Sequence, residues 1–157
     1  MVDSHAHLNH PAIRGDLEAV LERATERGVQ AIINVGYDLS SSEVAVEQAV
    51  RFKGFVWASV GIHPHNATSL TKEALARLKE LALNDVVVAV GETGLDFYRN
   101  LSPKHEQFKA FEAQLELACE VKKTSDNTYA QLCIRSAQCS EQLQRFAQRA
   151  CCSLLQR

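Results

Sequence analysis

The sequence predicts an α/β fold in which a parallel sheet is covered by helices. Three observations predict it. The strand-like runs are continuously apolar instead of alternating, glycine closes each of the later ones, and a stretch of helical periodicity follows each run. Strands that are apolar on both faces belong to parallel sheets buried under helices.

The elements follow in order. Val2, Asp3 and Ser4 make a short first strand. Asp16 is placed to cap a helix with an apolar stripe of Leu17, Val20, Leu21 and Ala24, stopped by Gly28. Residues 31–35 read as a strand ended by Gly36. Ser40 to Ser42 are expected to cap a second helix with Val46, Ala49 and Val50 inward. Residues 55–60 form the next strand, ended by Gly61, and Thr71 opens a helix carrying Leu75, Leu78 and Leu81. Residues 86–90 form a strand ended by Gly91. Pro103 then starts a helix with Phe108, Phe111 and Leu115 on one face. These are four strand–helix units with right-handed crossovers. They fit a doubly wound sheet or a (β/α)₈ barrel. A full barrel takes about 250 residues, and 157 residues hold roughly half of one.

Composition sets bounds on function. The chain is 46% hydrophobic and 23% charged, which is ordinary for a soluble globular protein. A net charge of −2 supplies no global basic field, so a nucleic acid must be held by local cations or by metal. No apolar run is long enough for a membrane span, and the N-terminus lacks the basic and apolar regions of a secretory signal. A cytoplasmic location without membrane partners is expected. The five cysteines all lie in the last third without a CxxC pair, so free thiols are the simplest account.

The chain is expected to divide into a barrel half, 1–123, and a tail, 124–157, of different character. Glycine and proline disappear, and glutamine and cysteine become frequent. The run from Thr124 reads as a poor strand where the next apolar strand is due. Reading one nucleotide downstream from about Lys122 lets the codons of Asp126 and Asn127 supply Ile-Ile. Those of Thr128, Tyr129 and Ala130 can then supply His-Thr-Arg. A frameshifted tail is therefore expected, in the gene or its sequencing, and the nucleotide sequence decides it.

Three motifs sit at strand ends. His5-Ala6-His7 puts two imidazoles on one side of a strand, where they can grip one divalent cation or two adjacent ones. Two surface histidines in a loop are the plainer alternative. Gly91-Glu92-Thr93-Gly94 places a carboxylate after a fully apolar strand. Burying it unpaired is costly, and a cation resolves that cost. A loop or capping acid is the alternative. Gly61-Ile62-His63-Pro64-His65 offers imidazoles for a phosphate or a leaving group, or loop histidines held by Pro64. In the stretch after Glu92, Arg99 suits a phosphate, and Phe97 and Tyr98 suit stacking on a base or packing at the barrel mouth. Asp3 and Asp96 are read as partners that orient ligands, or as strand-end caps.

Together these segments resemble the TatD family of metal-dependent deoxyribonucleases. The resemblance rests on residues 2–8, 61–65 and 91–98, joined by Gln107, Phe108, Phe111, Gln114 and Leu115, and covers about residues 1–123. It implies a TIM barrel, here with about its first four βα units. It also implies two divalent metal ions (magnesium, zinc or manganese) and cleavage of DNA phosphodiester bonds, with 3′–5′ exonuclease action. His5 and His7 would bind one metal, Glu92 would bridge both, and His63 would lie at the scissile phosphate. His65, Arg99 and Tyr98 would contact substrate. The family's later ligands have no match here, so impaired activity is expected. Two other functions are weighed. One is an amidohydrolase acting on a C–N or ester bond, disfavoured because Glu92 takes the place of a carbamylated lysine. The other is an inactive fragment or pseudogene product. The nuclease reading requires the Glu92 carboxylate to lie beside the rings of His5 and His7.

Overall fold

A computed structural model describes residues 1–127. Five parallel strands form one sheet in chain order: β1 (Val2–Ala6), β2 (Ala31–Val35), β3 (Val56–Val60), β4 (Val87–Thr93) and β5 (Thr124–Asn127). Between them lie α1 (Pro11–Arg14), α2 (Leu17–Glu26), α3 (Leu39–Arg51), a 3₁₀ turn (Pro64–Ser69), α4 (Lys72–Ala82) and α5 (Lys104–Glu120). Strand order separates the two architectures. A doubly wound sheet reverses direction at a switch point, whereas a barrel adds every strand to the same growing edge. The sheet grows one way only, so the fold is the first half of a TIM-type barrel.

The core forms where the strands meet the inward stripes of the helices. Val35, Ala45, Ala49, Val56, Ala58, Val60, Leu78, Ala82 and Val90 are fully buried. All but Val35 belong to one cluster that also takes in Leu17, Leu21 and Leu117. Thr71 caps α4 as expected, its side chain accepting a hydrogen bond from Ala74 N at 3.2 Å.

Several expectations are corrected. The cap of α3 is Asp38, not the Ser40–Ser42 run. Its carboxylate accepts from Ser41 N at 2.7 Å, while Ser41 Oγ accepts from Asp38 N at 2.9 Å. Val50 is 53% exposed, because the buried stripe runs through Ala45, Val46 and Ala49 and one further residue turns the side chain outward. Asp16 precedes α2 without a side-chain cap bond, its carboxylate meeting Arg23 at 3.3 Å. The third strand starts at Val56, not Phe55. The fourth continues to Thr93, so Glu92 lies inside β4 and not beyond it.

Residues 124–127, read as a poor strand, pair with β4. The open edge of β4 supplies the ladder partners whatever the side-chain propensity. The remaining tail, with its frameshift expectation, falls outside the described residues. Cys119, expected as a free thiol, is disulfide-bonded. Among the described residues no helix is long and apolar enough to cross a membrane.

Candidate metal centre

The end of β1 is fixed by a buried chain of side-chain amides. Asn9 Nδ2 donates to Val35 O at 2.9 Å and to Ser41 O at 3.0 Å, while Asn9 N donates to Asn34 Oδ1 at 3.3 Å. Asn34 Nδ2 donates to Gln48 Oε1 at 2.7 Å, and Gln48 Nε2 donates to Leu8 O at 3.2 Å. His7 shares the Val35 carbonyl, with Nδ1 at 2.9 Å. A carbonyl only accepts, so Nδ1 carries the proton and Nε2 presents its lone pair, as a metal ligand must. His5 sits one pleat earlier, and its backbone N donates to Asp3 Oδ1 at 3.2 Å. Asp3 therefore acts as a local cap.

Glu92 is brought to the same point by β4. Its backbone N donates to Gly36 O at 2.7 Å, which ties β4 directly to the end of β2. The residue is only 8% exposed. One carboxylate oxygen lies 3.7 Å from both His5 Nε2 and His7 Nε2, and the other lies 3.9 Å from His63 Nε2. The His5 and His7 rings stand edge to face at 88°, their centroids 5.1 Å apart. One donor atom from each of His5, His7 and Glu92 can be chosen so that all lie within 4.8 Å of one another. Ligands about 2.1 Å from a tetrahedral ion sit roughly 3.4 Å apart, so the 3.7 Å separations are close to a ready-made site. Two imidazoles and a carboxylate suit zinc and similar divalent ions.

His63 borders this cluster. It precedes the 3₁₀ turn, its N donates to Tyr37 O at 2.9 Å, and its Nδ1 accepts from His65 N at 3.1 Å. Burial holds its pKa below the ordinary imidazole value, against the pull of Glu92. With Nδ1 accepting, the neutral ring carries its proton on Nε2, facing Glu92.

His65 continues the array. Its ring lies 4.2 Å from that of His63, and its Nε2 donates to Asp96 Oδ2 at 2.6 Å. Asp96 Oδ1 accepts from Tyr98 N and Arg99 N, each at 3.0 Å. The Arg99 amide and the His65 ring hold the Asp96 pKa below the usual carboxylate range.

The structure thus brings His5, His7, His63 and Glu92 together, with His65 and Asp96 alongside. Tyr98, at 92% exposed, and Arg99 stand out from the loop and do not pack into the cluster. Phe97 packs: it lies 5.6 Å from the Phe108 ring with Lys104 Nζ 5.0 Å over its face.

Sequence reasoning overlooked Tyr37, whose ring meets His7 edge-on at 5.5 Å, and the buried Asn9, Asn34 and Gln48. The available signal was a polar residue inside an otherwise apolar stripe, as in Ala-Ile-Ile-Asn-Val over β2.

The model of the TatD-related DNase family matches residues 2–125. The chain is 42% identical over 121 residues to the metal-dependent hydrolase YabD of Bacillus subtilis, covering 77% of this chain and 47% of that protein. It is 40% identical over 121 residues to the 3′–5′ ssDNA/RNA exonuclease TatD of Erwinia billingiae, covering 77% and 46%. Among solved structures, the TatD homologue YjjV of Escherichia coli superimposes with a TM-score of 0.72 at 30% identity, covering 80% of this chain and 49% of that one. The chain spans about half the length of the relatives it matches. With that match over most of its length, the chain belongs to the TatD-related DNase family.

Proposed function

We propose that this chain carries the metal- and phosphate-binding half of a hydrolase that cleaves DNA phosphodiester bonds as a 3′–5′ exonuclease on single strands. The reading rests on one observation: three imidazole Nε2 atoms converge on the Glu92 carboxylate at 3.7, 3.7 and 3.9 Å. His5, His7 and Glu92 would hold one divalent cation, and Glu92 would share a second; magnesium, zinc and manganese are the candidates. A bound cation of this kind supplies Lewis acidity at a phosphoryl oxygen and lowers the pKa of water towards neutrality.

The protein groups do the rest. His63, neutral with its proton on Nε2, donates to a phosphoryl oxygen or to the departing oxygen. His65, oriented by Asp96, borders the same phosphate. Arg99 offers a planar fork to the next phosphate, and Tyr98 an exposed ring on which a base can stack. With a net charge of −2, these local groups and the metal must supply the attraction for the strand. Residues 1–123 act as the functional unit, and the protein works in the cytoplasm.

The test has two parts. The purified chain is titrated calorimetrically with zinc, manganese and magnesium, then assayed on 5′-labelled single-stranded DNA for stepwise shortening from the 3′ end. Glu92→Gln should lower divalent-metal affinity by more than the roughly tenfold to hundredfold that loss of an outer-shell partner costs. A wild-type chain that takes up none of the three ions defeats the reading. Uptake without DNA cleavage would instead restrict the chain to metal binding.

A further inference from the structure

We infer that Gln114, far from the metal ligands in sequence, is a positioning residue that fixes the spacing between Glu92 and His63. Nothing in the metal reading requires it, although the inference rests on that reading for its functional meaning.

Gln114 lies on α5 and is fully buried. Its Oε1 accepts from Ile62 N at 2.7 Å, and its Nε2 lies 3.1 Å from Ile62 O. The side-chain amide thus reads both backbone groups of Ile62, as a neighbouring strand would. The same Nε2 lies 2.9 Å from Thr93 Oγ1 and 3.0 Å from Ala110 O. Ile62 precedes His63, and Thr93 follows Glu92. One amide therefore ties together the two residues that flank the phosphate imidazole and the bridging carboxylate.

The backbone beneath is equally tight. A Cβ on Gly61 would come within 2.7 Å of Gly91 C and 2.9 Å of Gln114 Oε1. Only hydrogen fits there, so β3 and β4 approach each other closely directly behind His63 and Glu92. Ser59 Oγ adds a bond to Gly91 O at 3.0 Å.

A helix that serves only as packing has no need of such a group. An apolar residue of similar size would fill the space but leave the Ile62 N–H and C=O without these partners. Gln114 instead directs its amide to both mouth segments, at Ile62 and Thr93, as well as to Ala110 O of its own helix. Ordering of this kind acts on the ligands: loss of a group that orients a ligand typically weakens metal binding tenfold to a hundredfold.

The test compares four variants of the full 157-residue chain. Gln114→Met keeps the volume and removes every polar contact. Thr93→Val removes one acceptor and leaves the Ile62 bonds intact. Thr93→Ser keeps the hydroxyl. Leu78→Ala perturbs the α4 core, which takes no part in the mouth. Zinc affinity is measured by calorimetry, and the histidine ring nitrogens are followed by NMR in metal-free protein. Gln114→Met and Thr93→Val should lower zinc affinity by roughly tenfold. They should also displace the His63 ring signals while those of His10 and His105 stay in place. Thr93→Ser should restore both readouts, and Leu78→Ala should lower the melting temperature without moving either. If Gln114→Met does not fold, Thr93→Val carries the same test. The inference is overturned if both leave zinc affinity and the His63 signals unchanged, or if Leu78→Ala weakens zinc as much. A wild-type chain that binds no zinc defeats only the metal reading; the ring signals then decide the role of Gln114.

Discussion

At the scale of single residues, Asp96 carries two tasks on one carboxylate. Oδ2 orients the His65 ring, and Oδ1 gathers the amides of Tyr98 and Arg99. Its native pKa is depressed by those bonds. A depressed carboxylate contributes stability above its unfolded pKa and loses it as pH falls through the native value. Asp96→Asn should therefore be less stable than wild type at neutral pH. The gap should close from about pH 4 downward. Urea unfolding at a series of pH values measures it, and a gap independent of pH would show that the charge is irrelevant. His7 shows the same economy. A single carbonyl, Val35 O, selects its tautomer, and that carbonyl is held in turn by Asn9.

At the scale of elements, a helix cap and a close backbone approach act on different properties. α4 begins at Thr71, whose side chain satisfies Ala74 N. Thr71→Ala should cost about 1 kcal/mol in a thermal or chemical melt, with metal affinity unaltered. β3 meets β4 at Gly61, where a methyl group would collide with the backbone of Gly91. Gly61→Ala should destabilise the chain by about 1–3 kcal/mol, as overpacking of a tight site does. Because the collision lies behind His63 and Glu92, it should weaken metal binding too, which separates it from Thr71→Ala in the same titration. Gly36 is confined in a similar way, since a Cβ there would come within 2.7 Å of Ser42 Cα. The 3₁₀ turn after β3 is short, yet it sets the direction of both His63 and His65.

For the molecule as a whole, the sheet and the site share one architecture. Parallel strands laid down in chain order bring their C-terminal ends to one rim, and the candidate ligands come from the ends of β1 and β4, with β2 and β3 between them. A metal held at the proposed centre by residues so far apart in sequence would bind the folded chain and not the unfolded one. Linkage then requires stabilisation by metal of about 2.7 kcal/mol when the free ion is at a hundred times its dissociation constant. Zinc should raise the melting temperature of the wild-type chain in a concentration-dependent way, chelator should reverse it, and His7→Ala should abolish the shift. A melting curve indifferent to zinc would contradict the proposed centre.

What the sequence determined alone is the class of fold and the set of ligand-bearing motifs. Continuous apolar runs such as Ala31–Val35 and Val56–Val60 state locally that a strand is buried on both faces. His5, His7, His63 and Glu92 announce themselves by residue type at strand ends. Boundaries were less legible. The cap at Asp38 and the exposed face at Val50 depend on where α3 docks, and the pairing of residues 124–127 depends on the open edge of β4. Periodicity left the choice between wound sheet and barrel open, because that is a matter of which edge each strand joins; the family resemblance implied the barrel, and the strand order bears it out. Tertiary structure alone revealed Asn9, Asn34 and Gln48, and the role of Gln114, whose partners lie tens of residues away. A side-chain amide looks the same in a sequence whether it meets water or a distant backbone. Its role appears only when the chain has closed around it and left the hydrogen bond as its sole compensation for burial.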